Sequence, residues 1–456
     1  MKRRYRIACF VCCLALSFPL CAQERKKDEE PKPRVDWGQD IDLSNPEVSD
    51  PIGPFSKDEP NTASKAVRFT LGHEGSFRTR GEQGVVNNRS WFRIEYSKFF
   101  LNSFFVQIDS KLNGFWHNDH RAKAEGKRIL FETNTQEAFL QYSGVGAQTS
   151  VKAGVQRLIW GESEAGAITD EVSPRNYSEL FFIPLEESRI GQFMLNLDHF
   201  SANGDWSLFF VPEPKMNKYP LIGTAYYVDP FNGLADIRDE PYGKKRYEYG
   251  MRWKKTLGKS DISFMAASLM DNDYIFRMDG VTNAGRLLIS RIRQRFALTG
   301  TTFNYTEGKF LVKGEMALKS TKGFNDAAFH IIEKDVIDSS LGVTYSLGQS
   351  DTTGLEFVNS HVNDWSDRIV SVRQNSNSFV LNTNLFFLSD MLSVNWLLIY
   401  SQPYTSYQSS IRTSYKWSDN TIFSLDAHFI AAPDENSSLR PYRDQSQIVL
   451  RAQYQF

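Results

Sequence analysis

The last eleven residues, 446–456, alternate between apolar and mostly polar side chains. The apolar row, counted back from the end, is Phe456, Tyr454, Ala452, Leu450 and Ile448. Side chains of a β-strand point alternately to its two faces, so this pattern predicts a strand with one apolar face and one wet face. The chain finishes on this strand with an aromatic residue.

This ending resembles the closing strand of bacterial outer-membrane β-barrels, which finish on Phe after apolar residues at every second position. The resemblance implies that Phe456 and Tyr454 form a membrane-insertion signal that the barrel-assembly machinery recognises. The alternative is the edge strand of a soluble sandwich, which would leave a long apolar edge open to aggregation. The remaining sequence favours the barrel.

The amino terminus predicts a secretory signal peptide over residues 1–22. Basic residues precede the apolar run 7–20, and the small residue Ala22 follows it. The run is shorter than the roughly 20 residues that a membrane-spanning helix needs. The four cysteines of the chain all lie in this presequence: Cys9, Cys12, Cys13 and Cys21. We therefore expect no disulfide and no thiol chemistry in the mature chain.

Residues 23–64 are rich in charge and proline, with only scattered apolar positions. Such a composition favours an extended periplasmic segment that is partly disordered. A short plug entering the barrel is the alternative for this stretch. Residues 65–456 are predicted to form the barrel itself.

The composition narrows the class of protein. Apolar residues make up 41% of the chain and the mean hydropathy is −0.42, which excludes a bundle of membrane helices. Aromatic residues reach 14%, as expected for girdles at two membrane interfaces. The net charge of −1 argues against a nucleic-acid partner.

From about residue 66 onward, alternating segments of about 10 to 15 residues follow one another, and we count about eighteen, within a range of about 16 to 20. Short turns alternate along the chain with connections that are mostly long. The long ones are predicted near 161–191, 212–244, 271–285, 320–335, 363–375 and 431–445. This sorting predicts an all-β, antiparallel up-and-down transmembrane barrel in the outer membrane, with both termini periplasmic.

One predicted strand, 286–305, carries the arginine ladder Arg291, Arg293 and Arg295. Arginine is costly in lipid, so we expect the ladder to face the lumen and guide anionic solutes. The same strand changes its apolar phase near Gly300, which predicts a bulge. Further pore-lining candidates on polar phases are Lys152, Arg252, Lys313, Glu315 and Arg412. The alternative is that all these charges only form cross-strand pairs in a water-filled lumen.

The long connection after Trp160 is the second candidate. A loop of about 30 residues is uncommon without a function. Folded inward, it would constrict the pore and present Glu162, Asp170, Glu187 and Arg189 to solutes. The alternative is an extracellular cap packed on its own aromatic residues.

The same region resembles an uncharacterised porin-like outer-membrane family over about residues 151–200. The shared features are Gln156-x-x-x-Trp160-Gly161-Glu162, a Pro174-x-Asn176 turn and a Glu-Glu-x-Arg segment ending at Arg189. That family is often encoded beside RND-type transporters and a partner resembling lipoprotein-sorting factors. The resemblance implies a barrel that transports lipid-like or bulky hydrophobic cargo with an RND-type transporter and a periplasmic lipid-carrier protein.

Catalysis and metal binding are poorly supported. Ser424, Asp426 and His428 share one strand face, but neighbours on a face lie about 7 Å apart, too far for a direct triad. The polar run from His117 to His120 offers metal ligands, yet a lone polar hairpin loop is more often just solvated. We expect no enzyme activity, no cofactor and no metal.

The sequence thus predicts a porin-like channel that moves polar, preferably anionic, solutes across the outer membrane of a Gram-negative bacterium. The alternative is a plugged or gated conduit for hydrophobic or polymeric cargo.

Overall fold

The computed structural model describes residues 67–456 apart from 102, 146–147, 164–165, 167 and 241–245. The predicted signal peptide (1–22) and periplasmic extension (23–64) lie outside the described residues.

The strands, in chain order, are β1 (Val67–Arg78), β2 (Gly84–Phe100), β3 (Phe104–Trp116), β4 (Ile129–Val145), β5 (Thr149–Gln156), β6 (Gln192–His199), β7 (Asp205–Val211), β8 (Ala235–Asp239), β9 (Glu248–Leu257), β10 (Ser260–Met270), β11 (Ile275–Val281), β12 (Leu287–Ile292), β13 (Arg295–Glu307), β14 (Phe310–Asn325), β15 (Ile331–Ser346), β16 (Thr352–Val362), β17 (Asn375–Phe387), β18 (Leu392–Gln402), β19 (Ser406–Ser418), β20 (Thr421–Ala431) and β21 (Gln447–Gln455). The helices are short: α1 (His120–Ala124), α2 (Leu185–Ser188) and two 3₁₀ turns, Leu180–Phe182 and Arg440–Tyr442. Among the described residues no helix has the length and apolar character needed to cross a membrane.

Eighteen of these strands form one closed antiparallel sheet, as the sequence predicted. Each strand pairs with the next barrel strand along the chain, and β21 pairs with β1 to close the ring. At this seam Phe69 and Phe456 exchange two backbone hydrogen bonds, of 3.0 and 2.9 Å. A closed ring leaves no open strand edge, which is a requirement for a β-structure that crosses lipid.

The outer wall of the barrel is apolar. Large side chains such as Leu355, Phe264 and Leu450 are at least half exposed on it, while their strand neighbours point inward. An apolar surface of this extent is abnormal for a protein in water and suits the hydrocarbon of a bilayer. The period-two alternation seen in the sequence therefore reports the two faces of the barrel wall.

Turn lengths differ between the two ends of the barrel. The end that holds Val67 and Phe456 has short turns, while the other end carries the long connections 157–191, 212–247, 271–294, 363–374 and 432–446. One predicted long loop, 320–335, is wrong, because β14 runs to Asn325 and β15 begins at Ile331. These two strands simply extend beyond their neighbours as a hairpin.

The predicted strand 286–305 is also wrong. It divides into β12 and β13, and β12 lies in a separate three-stranded sheet with β8 and β11. The bulge expected near Gly300 is absent, since β13 pairs without a register shift with both β10 and β14. The apolar phase changes because Phe296 and Leu298 point into the barrel, whereas Phe303 points outward.

Candidate functional site

We call the long β5–β6 connection, residues 157–191, the inner loop, and its described residues lie inside the barrel. Its first part is fastened to the β14 wall by the Glu315 carboxylate. That carboxylate accepts hydrogen bonds from the backbone N–H groups of Glu162, Ser163 and Thr169 and from the Thr169 hydroxyl, at 2.8 Å for the hydroxyl. Glu315 is only 5% exposed. The loop backbone therefore encloses a side chain that lies about 150 positions further along the chain.

A cation beside Glu315 supports the same attachment. The Lys313 ammonium donates to the carbonyl oxygen of Glu162 at 3.1 Å. On the neighbouring strand the Asn304 amide donates to the Glu162 carboxylate at 3.3 Å. The β13–β14 wall therefore holds both the backbone and the side chain of this loop residue.

Further along, Asp170 organises the inner loop from within. Its carboxylate accepts from the Arg189 guanidinium at 2.6 and 2.8 Å and from Arg175 at 3.2 Å. Two of the predicted constriction residues, Asp170 and Arg189, are thus paired with each other. They shape the loop rather than point separately into the passage.

The neighbouring Glu171 ties the loop to the wall a second time, through Lys319 of β14 at 2.5 Å. Burial alone would raise the pKa of Glu171, but Lys319 and Lys322 outweigh this and hold the pKa below the usual range of a glutamate. This carboxylate therefore keeps its charge, and its attachment, in mild acid.

The second half of the loop reaches the opposite wall. The Glu187 carboxylate accepts two hydrogen bonds from Lys111 of β3, at 2.7 and 2.8 Å. The Arg412 guanidinium of β19 donates to the carbonyl oxygen of Ile183 at 3.2 Å, and the Phe182 ring lies 5.1 Å from the His428 ring of β20. The inner loop thus spans the lumen from β14 to β3, β19 and β20.

Glu179 forms a buried contact on this side. It binds Arg89 of β2 at 2.6 Å and lies 3.4 Å from His120. Burial alone would raise the pKa of Glu179, but the Arg89 guanidinium outweighs this and the pKa lies below its usual range.

An apolar cluster fills the space between the start of the inner loop and the wall. Trp160 and Val172 come from the loop, and the other members are inward-facing residues of β6, β7, β10 and β13: Met194, Phe209, Val211, Met265, Leu269, Phe296 and Leu298. Trp160 and Phe209 meet edge to face, with ring centroids 5.2 Å apart. Sequence reasoning missed this cluster, although apolar residues on both phases of β6 and β7 were its available signal.

Several predicted pore-lining residues lie on the inward face. Lys313 and Glu315 contact the inner loop as described above, and Arg412 does so from the other side. Lys152 faces inward from β5 and lies 3.4 Å from Asp198. Arg252 faces inward from β9, opposite Ser207 and the buried Met265.

The arginine ladder does not exist as a row in the lumen. Arg291 belongs to β12, outside the barrel ring, where it forms a bidentate pair with Asp239 at 2.8 and 3.1 Å. Arg293 lies between β12 and β13 and donates to the carbonyl oxygens of Asp271 and Pro214 at 2.6 and 2.9 Å. These two side chains hold outer connections together.

Arg295 departs from the ladder in another way. It begins β13 on the outward phase, since Phe296 and Leu298 occupy the inward phase. Its guanidinium donates to the carbonyl oxygen of Tyr247 at 2.7 Å and lies over the Tyr247 ring at 5.5 Å.

Charged side chains beside the inner loop remain in contact with solvent. Arg93, Glu95, Glu137 and Glu187 keep between 23% and 28% of their side chains exposed. Each lies near an opposite charge; Arg93, for example, forms two 2.7 Å hydrogen bonds with Asp109. The inward face of β2–β4 and the adjoining edge of the loop therefore form a polar, water-accessible lining.

The residues weighed for chemistry have structural contacts. Ser410, rather than Ser424, meets His428, at 2.9 Å, and Asp426 lies 3.9 Å from that histidine. In the described part of the chain no group of three or more His, Cys, Asp and Glu side chains is placed to hold a metal ion.

The carboxyl-terminal aromatic residues lie on the outer wall at the seam. Tyr454 is 50% exposed and Phe456 is 44% exposed. The Phe456 ring lies 5.6 Å from Phe69 across the seam and 5.9 Å from Tyr454. These rings face the side of the wall that suits lipid.

No protein-family model and no curated protein matches the sequence. Among solved structures, OccAB1 of Acinetobacter baumannii matches with a TM-score of 0.51 at 9% identity, over 86% of this chain and 96% of that chain. OccAB2 of the same organism has a TM-score of 0.49 at 8% identity, over 86% and 97%. The outer membrane protein opdK of Pseudomonas aeruginosa has a TM-score of 0.49 at 8% identity, over 86% and 98%.

The fold is that of a porin-like outer-membrane β-barrel. At such low identity the likeness to OccAB1 concerns the fold alone. The resemblance to the RND-associated family stays a prediction.

Proposed function

We propose that the chain is an outer-membrane channel for polar solutes in which the inner loop sets the size of the passage. The observation that carries this proposal is the water-accessible charged lining beside a loop that is fastened to both walls. A barrel of this strand number encloses a wide lumen, and a loop fixed across it would narrow that lumen. The termini face the periplasm in this proposal, and the channel performs no catalysis.

We do not assign the channel a strong anion preference. Three of the cations that line the passage are matched by carboxylates: Arg93 by Asp109, Lys111 by Glu187 and Lys152 by Asp198. Paired charges leave little net field for a passing ion. Any anion preference would have to come from residues other than the arginine ladder.

The test is single-channel conductance of the refolded mature chain in planar bilayers, with the reversal potential measured under a KCl gradient. We expect a steady open conductance with weak ion selectivity. A folded barrel that stays electrically silent would contradict the proposal, and a strong ion preference would contradict its charge balance.

The second candidate is a gated conduit for hydrophobic cargo, working with an RND-type transporter and a periplasmic lipid carrier. The apolar cluster around Trp160 and Phe209 favours it, because this buried cluster would become an apolar surface for such cargo when the inner loop moves away from the wall. This second candidate predicts a folded barrel that stays electrically silent, so the same conductance recording separates the two candidates. In both, lipid contacts the outer wall and the barrel-assembly machinery recognises Tyr454 and Phe456.

A further inference from the structure

The inward face of β16–β20, in the half of the barrel that holds Val67 and Phe456, carries uncharged hydrogen-bonding side chains. We call this surface the neutral wall, and its members are Thr352, Asn382, Asn384, Asn395, Ser414 and Ser424. Strand register places them side by side: Thr352 opposite Asn384, Asn384 opposite Asn395, and Ser414 opposite Ser424. All six side chains are partly exposed.

Hydrogen bonds join the members of the neutral wall across strands. The Asn395 amide donates to the amide oxygens of Asn382 and Asn384 at 2.8 and 2.7 Å, and Asn384 donates to Thr352 at 3.2 Å. The hydroxyls of Ser414 and Ser424 lie 3.0 Å apart. The amides are therefore held in fixed orientations along the wall.

The opposite side of the lumen has a different chemistry. There, ion pairs such as Arg93–Asp109 and Lys152–Asp198 line the wall. On β16–β20 the charged residues Glu356, Arg412 and Asp426 border this surface. Arg412 lies opposite Asn395 and donates to the Ile183 carbonyl oxygen of the inner loop, and Asp426 lies opposite Arg412. Lys416 is exposed at the rim of the barrel. The neutral wall is thus a bounded patch rather than a general property of the lumen.

We propose that the neutral wall binds uncharged polyhydroxylated solutes, such as short oligosaccharides, on their way through the channel. The proposal rests on the channel function above and names its substrate class. Amides and hydroxyls both donate and accept, as sugar hydroxyls do, so each can replace a hydration contact of the sugar. The neighbouring guanidinium groups already have partners, since Arg412 binds the Ile183 carbonyl oxygen and Arg451 binds Glu74 and Asp426. A charged solute would therefore lose hydration on this wall and gain little attraction in return.

The test uses maltotriose as the probe on the refolded full mature chain. Its binding is measured in two ways: by block of the single-channel current and by calorimetric titration in detergent. We expect saturable block and binding in the unmodified chain. In the double variant Asn382→Leu/Asn395→Leu we expect affinity to fall about tenfold, because two oriented neutral hydrogen-bonding groups are lost.

A matched control lies on the same wall with the opposite orientation. Asn359 of β16 and Asn377 of β17 form a 2.8 Å hydrogen bond on the outward face. Asn359→Leu/Asn377→Leu should leave maltotriose affinity unchanged. Should the first double variant fail to fold, Ser414→Ala/Ser424→Ala removes two hydroxyls at nearly constant volume and should also weaken binding.

Calorimetry without binding, in a chain that conducts, would overturn the sugar site and leave the channel function standing. Binding in a chain that does not conduct would support the site and contradict the channel. Equal loss of affinity in the inward and outward double variants would overturn the assignment to the neutral wall.

Discussion

The Glu315 carboxylate attaches the inner loop to the β14 wall, and Glu315→Gln tests this attachment with little change in shape. The carboxylate accepts four hydrogen bonds from the loop. The single amide oxygen of Gln accepts about two, and its NH₂ group faces the remaining donors. Losing two charge-assisted hydrogen bonds should therefore destabilise the docked loop by about 3 kcal/mol. We use about 1.5 kcal/mol for each bond, the low end of the usual range, because lumen water can replace part of the bonding. This destabilisation raises the ratio of undocked to docked loop about 100-fold.

The assay is limited trypsin digestion of refolded barrels in lipid vesicles. Cleavage after Arg175 or Arg189, identified by mass spectrometry, reports the undocked loop, because both side chains are largely buried when the loop is docked. Where the loop docks faster than trypsin cuts, the cleavage rate follows the undocked population, so we expect roughly 100-fold faster cleavage in Glu315→Gln.

Glu95→Gln is the matched control. Glu95 also faces the lumen, but it pairs with Arg68 and Arg93 of the wall. Its cleavage rate should stay close to that of the unmodified chain. Cleavage in Glu315→Gln that is no faster than in this control would refute the assignment of Glu315 as the loop attachment.

Three further predictions concern the seam, the outer sheet and pH. Phe456→Ala should lower the free energy of unfolding in lipid by about 1–2 kcal/mol through lost ring packing across the seam, measured by urea titration with heat-modifiable mobility; an unchanged midpoint would contradict this. Arg291→Gln should leave the conductance and reversal potential unchanged, since this side chain lies outside the barrel ring. A shifted reversal potential would show instead that Arg291 lines the lumen. Glu171 and Glu179 have lowered pKa values in the folded barrel. The stability that these carboxylates give to the docked loop is therefore complete above about pH 4.3, the ordinary pKa of a glutamate, and is lost only as the pH falls through the lowered values. The conductance should therefore stay constant between about pH 7 and pH 4.5, and a step near pH 6 would contradict this assignment.

The barrel could be predicted because the alternation of apolar and polar residues along each strand identifies its outer wall. Residues such as Leu450 and Tyr454 alternate with polar neighbours, and a one-residue period error would place every side chain on the wrong face. The turn lengths added independent support. Neither signal requires knowledge of distant contacts.

The arginine ladder failed for a physical reason. β12 is a genuine strand with its own alternation, and nothing local distinguishes a strand of an outer sheet from one of the barrel ring. The apolar residues Phe296 and Leu298 point inward at the start of β13. In the sequence they therefore look like a continuation of the β12 strand with a shifted apolar phase. Local pattern gives the presence of a strand but not its partner.

The path of the inner loop was also beyond local reasoning. Its length indicated a function, but its attachment depends on Glu315, about 150 residues further along the chain, and on Lys111, before it. Both side chains looked like ordinary members of polar strand faces. Only the closed ring brings them to opposite ends of the same loop.

The most direct test of the channel with a fixed inner loop is the conductance of a barrel in which that loop is locked. A β-carbon on Gly166 of the loop would lie 3.3 Å from the Val358 side chain of β16, close enough for a disulfide between Gly166→Cys and Val358→Cys. The mature chain predicted from the sequence has no cysteine to interfere. If solutes pass beside a docked loop, the oxidised variant should conduct as well as the reduced one. A barrel that is silent when oxidised and conducts after reduction would show that the loop must leave the lumen, and would contradict the account.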